Sequence, residues 1–165
     1  MSARGSLFRA QLVLDEHRAL HDWWRDSFED DQPPNRKALD PGEMPRLLPG
    51  LSVFEIKQGQ WRIRLAGTRF YEALGEEISG AVIDDLPLGE TGRSWRRALD
   101  LARETLRPVC GAQRVCWRGE ERAIARFWVR LPLTSDDGRD HMVLGHDVFR
   151  PFEESLHTPA IAWAG

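Results

Sequence analysis

The spacing of hydrophobic positions changes several times along this chain, and each change marks an element. Leu20, Trp24 and Phe28 recur every four residues, with Trp23 beside them and acidic residues on the other side. That spacing predicts an amphipathic helix from Asp15. Asp15 is placed to cap it, and its early acids suit the positive helix end. The Pro33-Pro34 pair ends it. Asp40-Pro41 reads as a cap and first-turn proline, giving a short helix over 41–48 that Pro49-Gly50 stops. Leu51 to Lys57 is a strand, Gln58-Gly59 a hairpin turn, and Trp61, Ile63 and Leu65 alternate with Arg62 and Arg64 in a second strand. The chain breaks at Ala66-Gly67 and starts a short helix at Thr68, with Phe70, Tyr71 and Leu74 as its apolar residues, before stopping at Gly75. After a loop punctuated by Pro87, Gly89 and Gly92, Trp95, Leu99, Ala102 and Leu106 mark a helix that starts near 91–93, runs to Arg107 and ends at Pro108. Three strands follow, Val109 to Trp117, Glu121 to Leu133 and His141 to Phe149, separated by turns at 118–120 and 135–138.

The segment Arg64-Leu65-Ala66-Gly67-Thr68, followed by Leu74-Gly75 and Ser79-Gly80, comes straight after a β-hairpin. It resembles the PAS sensor-domain family, most closely a bacterial stand-alone branch carrying "RLAGT…LG…SG". The element order of strand, strand, short helices, long helix and three strands agrees with that family. The resemblance implies an α+β fold, a five-stranded antiparallel sheet in the order 2-1-5-4-3 with helices on one face. An N-terminal helix and linker (1–39) would extend a PAS-like domain (40–150), with a C-terminal tail (151–165).

The charge pattern adds to this picture more than the total does. Net charge is −3 and the pI about 6.0, which argues against general nucleic-acid binding. Residues 15–31 carry seven carboxylates against Arg18 and Arg25, while the chain from Arg93 onward is rich in arginine. No apolar run approaches a membrane span, and the N-terminus has no signal-peptide pattern, so a cytoplasmic location is expected. Cys110 and Cys116 on one strand are too far apart for a disulfide and are expected to be reduced, partly buried thiols.

Arg114, Arg118, Arg122, Arg126 and Arg130 recur every four residues. Even spacing places those of one strand on one face. With the apolar set Ala123, Ala125, Phe127, Val129 and Leu131 turned to the helices, Arg122, Arg126 and Arg130 would share the outer face with Ile124 and Trp128. The acidic N-terminal helix is the expected cover. Leu20, Trp24 and Phe28 would pack on Ile124 and Trp128, and Asp22, Asp26 and Glu29 would meet the arginines. A dimer interface or a solvated face are the alternatives, and a single-strand nucleic-acid platform is a minor one.

Candidate chemistry is sparse. His17 and His21 lie four apart, a spacing able to hold a metal, but no third ligand is definable and exposed helix histidines are expected. The long helix has no histidine of the kind that ligates haem in PAS relatives, and there is no NCRFL-type flavin motif, so no cofactor is predicted. A cavity between sheet and helices would be lined by the small Ala123 and Ala125. A small organic anion there would meet Arg64, Thr68 or Tyr71, and His146 is a further candidate. Arg64 cannot serve that pocket if it shares the outer face with Arg62. No catalytic group is evident. The sequence therefore reads as a non-enzymatic sensory or regulatory protein that binds a small molecule, a signalling partner, or both, as a homodimer. The alternatives are an adaptor with a filled core and a small α+β cavity enzyme.

Overall fold

The computed structural model describes residues 3–115 and 124–151. One antiparallel sheet is built from β1 (Leu51–Lys57), β2 (Gln60–Ala66), β3 (Val109–Val115), β4 (Ile124–Thr134) and β5 (His141–Pro151). Its order is β2-β1-β5-β4-β3, as the PAS resemblance implies. The β1–β2 hairpin turns at Gln58 and Gly59, both with positive φ (54° and 78°), which matches the twist of the strands. Helices α3 (Thr68–Leu74) and α4 (Gly89–Thr105) pack on one face. Helix α4 ends where Leu106 turns left-handed (φ 52°), ahead of Pro108.

On the other face lie α1 (Ala3–Gln11) and α2 (Asp15–Asp26). Helix α1 is an element that the hydrophobic spacing does not predict, since the helical pattern is read only from Asp15. Arg9 on α1 holds Asp22 on α2 through both carboxylate oxygens at 2.8–3.0 Å. Asp15 does not cap α2. Leu14 stands at the cap position with no side-chain bond, and Asp15 pairs with Arg18 at 2.9 Å instead. The helix expected over 41–48 is broken into single 3-10 turns at Pro41–Glu43 and Leu48–Gly50, since Pro45 and Pro49 lack the N–H that an α-helix would use.

Both faces of the sheet are buried. The inner face carries Phe54, Ile63, Val109, Val115, Trp128 and Val143 against Phe70 of α3 and Trp95 and Leu99 of α4. The outer face carries Leu51, Val53, Val129, Leu131, Leu133 and Leu144 against Leu12, Leu20 and Trp24. Trp24 is fixed by donating its indole N–H to the Pro132 carbonyl at 2.6 Å. The segment after α2 is pinned to the β4–β5 turn. Thr134 donates its backbone N–H to the Pro34 carbonyl, Asn35 bonds Ser135, and Arg36 pairs with Asp136 through two hydrogen bonds.

Candidate functional site

Polar groups gather at two places, back to back across the sheet. Inside, under α4, Arg126 and Arg130 project from β4 and Asp147 from β5. In the strand register Asp147 lies opposite Trp128, so it sits diagonally between the two arginines. Arg126 donates Nε–H to Asp147 Oδ2 at 2.5 Å, while Arg130 reaches Oδ1 at 2.7 Å and Oδ2 at 3.1 Å. All three are buried, with exposures of 1%, 0% and 0%. Aromatic rings enclose the guanidinium groups. Arg126 lies 4.6 Å from the Trp95 ring centre, and Arg130 lies 5.2 Å from Phe54 and 5.4 Å from Trp128, which is cation–π distance.

The charges survive burial. Burial alone would raise the Asp147 carboxyl, but Arg126 and Arg130 overcome it and hold the group below its ordinary value. Burial pulls Arg126 down to about 9, which still leaves it protonated at neutral pH. Two glycines make the room. A Cβ on Gly111 would lie 2.6 Å from the Trp128 ring, and one on Gly145 would lie 2.8 Å from Phe54 and 2.9 Å from Arg130 Nη1. The large side chains therefore lie directly on the backbone of the sheet.

Outside, α2 meets the sheet at a second polar joint. Glu16 takes both Nη groups of Arg69 on α3, at 2.9 and 3.1 Å. His17 stands edge-on to His146 of β5, with ring centres 5.2 Å apart, and His21 lies between Phe8 and Trp24. All three histidines are buried. Among the described residues, His17 Nε2, both ring nitrogens of His146 and His21 Nδ1 have no hydrogen-bond partner, the nearest carboxylates being Asp22 at 3.6 Å from His21 Nδ1 and Glu16 at 3.8 Å from His146 Nε2. Burial pushes His17 down to about 3 and His146 to about 4, and lowers His21 as well. Gly50 belongs to this joint, because a Cβ there would lie 2.8 Å from His146 Nε2 and 2.6 Å from the Asp147 carbonyl.

The expected sites need correcting in several respects. The alternation of β4 was read rightly, but the two faces were exchanged. Ile124, Arg126, Trp128 and Arg130 face inward, toward α4. Leu20 and Trp24 do dock on the sheet, with Phe28 edge-on to Trp24, but on Val129, Leu131 and Leu133. The acidic partner of the arginines is Asp147, whereas Asp22 serves Arg9. The expected pocket residues do not converge. Arg64 is exposed, turned away from the interior toward Glu55 (3.1 Å) and Asp136 (3.8 Å), and lines a surface groove of about 380 Å³. Thr68 and Tyr71 are exposed as well. Ala125 packs with Leu14 on the outer face, and His146 sits on that face too. Ala123, Arg118, Arg122 and Cys116 lie outside the described residues. His17 and His21 are buried because they share the apolar stripe of α2 with Leu20 and Trp24.

Asp147 is the residue that sequence reasoning missed. Its signal was a single carboxylate, next to His146, inside a strand that is apolar apart from these two residues, Met142 to Phe149, with Gly145 leaving space. Among the described residues no cluster of histidine, cysteine and carboxylate side chains can hold a metal, and no helix is long and apolar enough to cross a membrane. Burial raises the Cys110 thiol to about 11.

This sheet order, with α3 and α4 over one face, is accompanied by a match to the PAS domain family model over residues 14–147. The chain belongs to the PAS domain family. Among solved structures it is similar to an RNA-binding light-oxygen-voltage receptor, with 18% identity, 73% of this chain and 36% of that one covered, and a TM-score of 0.49. It is also similar to a fungal LOV domain photoreceptor (17% identity, 82% and 91% covered, TM-score 0.47) and to an RsLOV variant (18%, 63% and 61%, 0.44). The chain thus spans about a third of the length of the first of these. No curated protein matches it.

Proposed function

We propose that this chain is a regulatory PAS protein that acts by association and not by catalysis. Its interior would take the input, and helices α1 and α2 would serve as a removable cover whose position is the output. The observation that carries this reading is the pair His146 and Asp147. They are consecutive on β5, one against the cover and the other in the interior ion cluster. A change in the interior that shifts β5 therefore reaches the cover with no intervening element.

The surface beneath the cover supports the same reading. Leu51, Val53, Val129, Leu131, Leu133, Met142 and Leu144 form a continuous apolar face, and uncovering such a face favours association. A second copy of this chain, exchanging or stacking the same face, is the partner proposed. Arg69→Ala would remove the ion pair to Glu16 without opening a cavity in either core. Sedimentation velocity over a range of concentrations should then show more dimer than in the parent protein, with faster amide exchange in α2. A variant that stays monomeric, with α2 exchange unchanged, would refute the cover as output.

A further inference from the structure

The interior ion cluster is unbalanced. Arg126 and Arg130 bring two positive charges and Asp147 one negative, all fully buried. The charges acting on Arg126 are those of Asp147 and Arg130, and those acting on Asp147 are the two arginines. One positive charge is left over in a region walled by Trp95, Trp128 and Phe54. An uncompensated buried charge is among the costliest things a core can hold.

The hydrogen-bonding inventory is unbalanced in the same sense. Among the described residues, Arg126 Nη1, Arg130 Nε, Trp95 Nε1 and Trp128 Nε1 have no hydrogen-bond partner, and neither does Ser52 Oγ. The four nitrogens can only donate. The Arg126 guanidinium lies 4.6 Å from the Trp95 ring centre and 5.7 Å from that of Trp128, and that of Arg130 lies 5.9 and 5.4 Å from the same two, so both cations and both indoles share one region of the core. A buried water needs acceptors for its own hydrogens as well as donors. Both Asp147 oxygens are already engaged by guanidinium groups. Ser52 Oγ is the one possible acceptor among these unpartnered atoms, against four donor nitrogens, so the surplus of N–H donors beside surplus positive charge suits an anion better than water.

We propose that the Arg126–Arg130–Asp147 cluster, with the indole N–H groups of Trp95 and Trp128 and the Ser52 hydroxyl, binds one small monoanion. A halide, nitrate or formate has the right charge and is small. Anything much larger is kept out by the packing of Trp128 on Gly111 and Arg130 on Gly145. The proposal rests on the regulatory reading above for its purpose, since the anion would be the input read through β5, but it is tested separately from it.

The experiment uses the full chain, exchanged into gluconate salts, whose anion is too large for the site. Chloride, bromide, nitrate or formate replaces gluconate at constant ionic strength. The expected result is a rise in melting temperature that saturates with anion concentration, with quenching of buried tryptophan fluorescence by bromide over the same range. The spherical halides and the planar nitrate and formate separate the two shapes of ligand. Arg126→Met leaves the balanced Arg130–Asp147 pair and should raise the half-saturating concentration about 10- to 100-fold. Trp128→Phe keeps an aromatic ring, smaller than the indole, but loses the N–H donor and should raise it about tenfold, which serves as the test if the arginine variant fails to fold. Exposed Arg97→Ala should change nothing. A melting temperature indifferent to the anion, or an Arg126→Met or Trp128→Phe variant that responds like the parent, would overturn the site. Sedimentation of the same samples separates the two proposals. Binding without any change in association would keep the site and sink the output. An Arg69→Ala effect without anion binding would do the reverse.

Discussion

Acidification should loosen the N-terminal cover before it unfolds the sheet. His17 and His146 are neutral and buried when α2 is docked, pushed by burial to about 3 and about 4. Once α2 lifts away, both would return toward the ordinary value near 6.5. Above that value neither state binds the protons, and docking is unaffected. Below it the uncovered state takes up protons that the docked state refuses, so docking weakens as pH falls, until the docked values are reached near 3 to 4. At pH 5 each histidine costs the docked state about 2 kcal/mol relative to pH 7, or about 4 kcal/mol for the pair. His21 shifts in the same direction. The facing charges are Glu16, Asp22, Arg9, Arg25, Arg69 and Arg150 around the joint, with Asp147 and Arg130 behind it. Of these, Glu16 is held by Arg69 below its ordinary value and stays ionised from pH 7 to 5. The assay is amide hydrogen exchange from pH 7 to 5, corrected for the intrinsic rate. Protection of residues 15–26 should fall by about two log units per pH unit below 6.5, while β4 stays protected. His17→Leu should reduce that slope by about one. Protection of α2 that is flat across this range, or that falls in step with β4, would refute the reasoning.

Other perturbations probe the interior. Asp147→Asn leaves both guanidinium groups without their counter-charge, and urea denaturation should show a loss of about 3–5 kcal/mol. Gly111→Ala places a Cβ 2.6 Å from the Trp128 ring, so thermal unfolding should report a cost of about 1–3 kcal/mol.

The fold was legible because its signals are local. The Gln58-Gly59 turn, the bend at Gly67 and the stop at Pro108 punctuate periodic segments, and these fixed element order well enough to suggest the sheet. The site was less legible for a reason particular to this sheet. Both of its faces are buried, so alternation in β4 separates Arg126, Trp128 and Arg130 from Phe127, Val129 and Leu131 without saying which set meets which layer. Charge suggested the wrong choice, because the arginines were matched to the densest acidic stretch of the chain, residues 15–31. Their actual partner, Asp147, becomes adjacent only through the β4–β5 register. The histidines were misjudged in a related way, since a neutral imidazole can share an apolar stripe.

The pinning of residues 34–36 to the β4–β5 turn has a kinetic and competitive consequence. Even when α2 leaves the sheet, its far end stays tethered beside the surface it vacated. A short tether of this kind corresponds to an effective concentration of about a millimolar. An outside segment making equally good contacts must therefore approach millimolar levels to take half of the sites. A partner present at ordinary cellular concentrations can win only if it binds better than the cover, or if protonation has already weakened its rival.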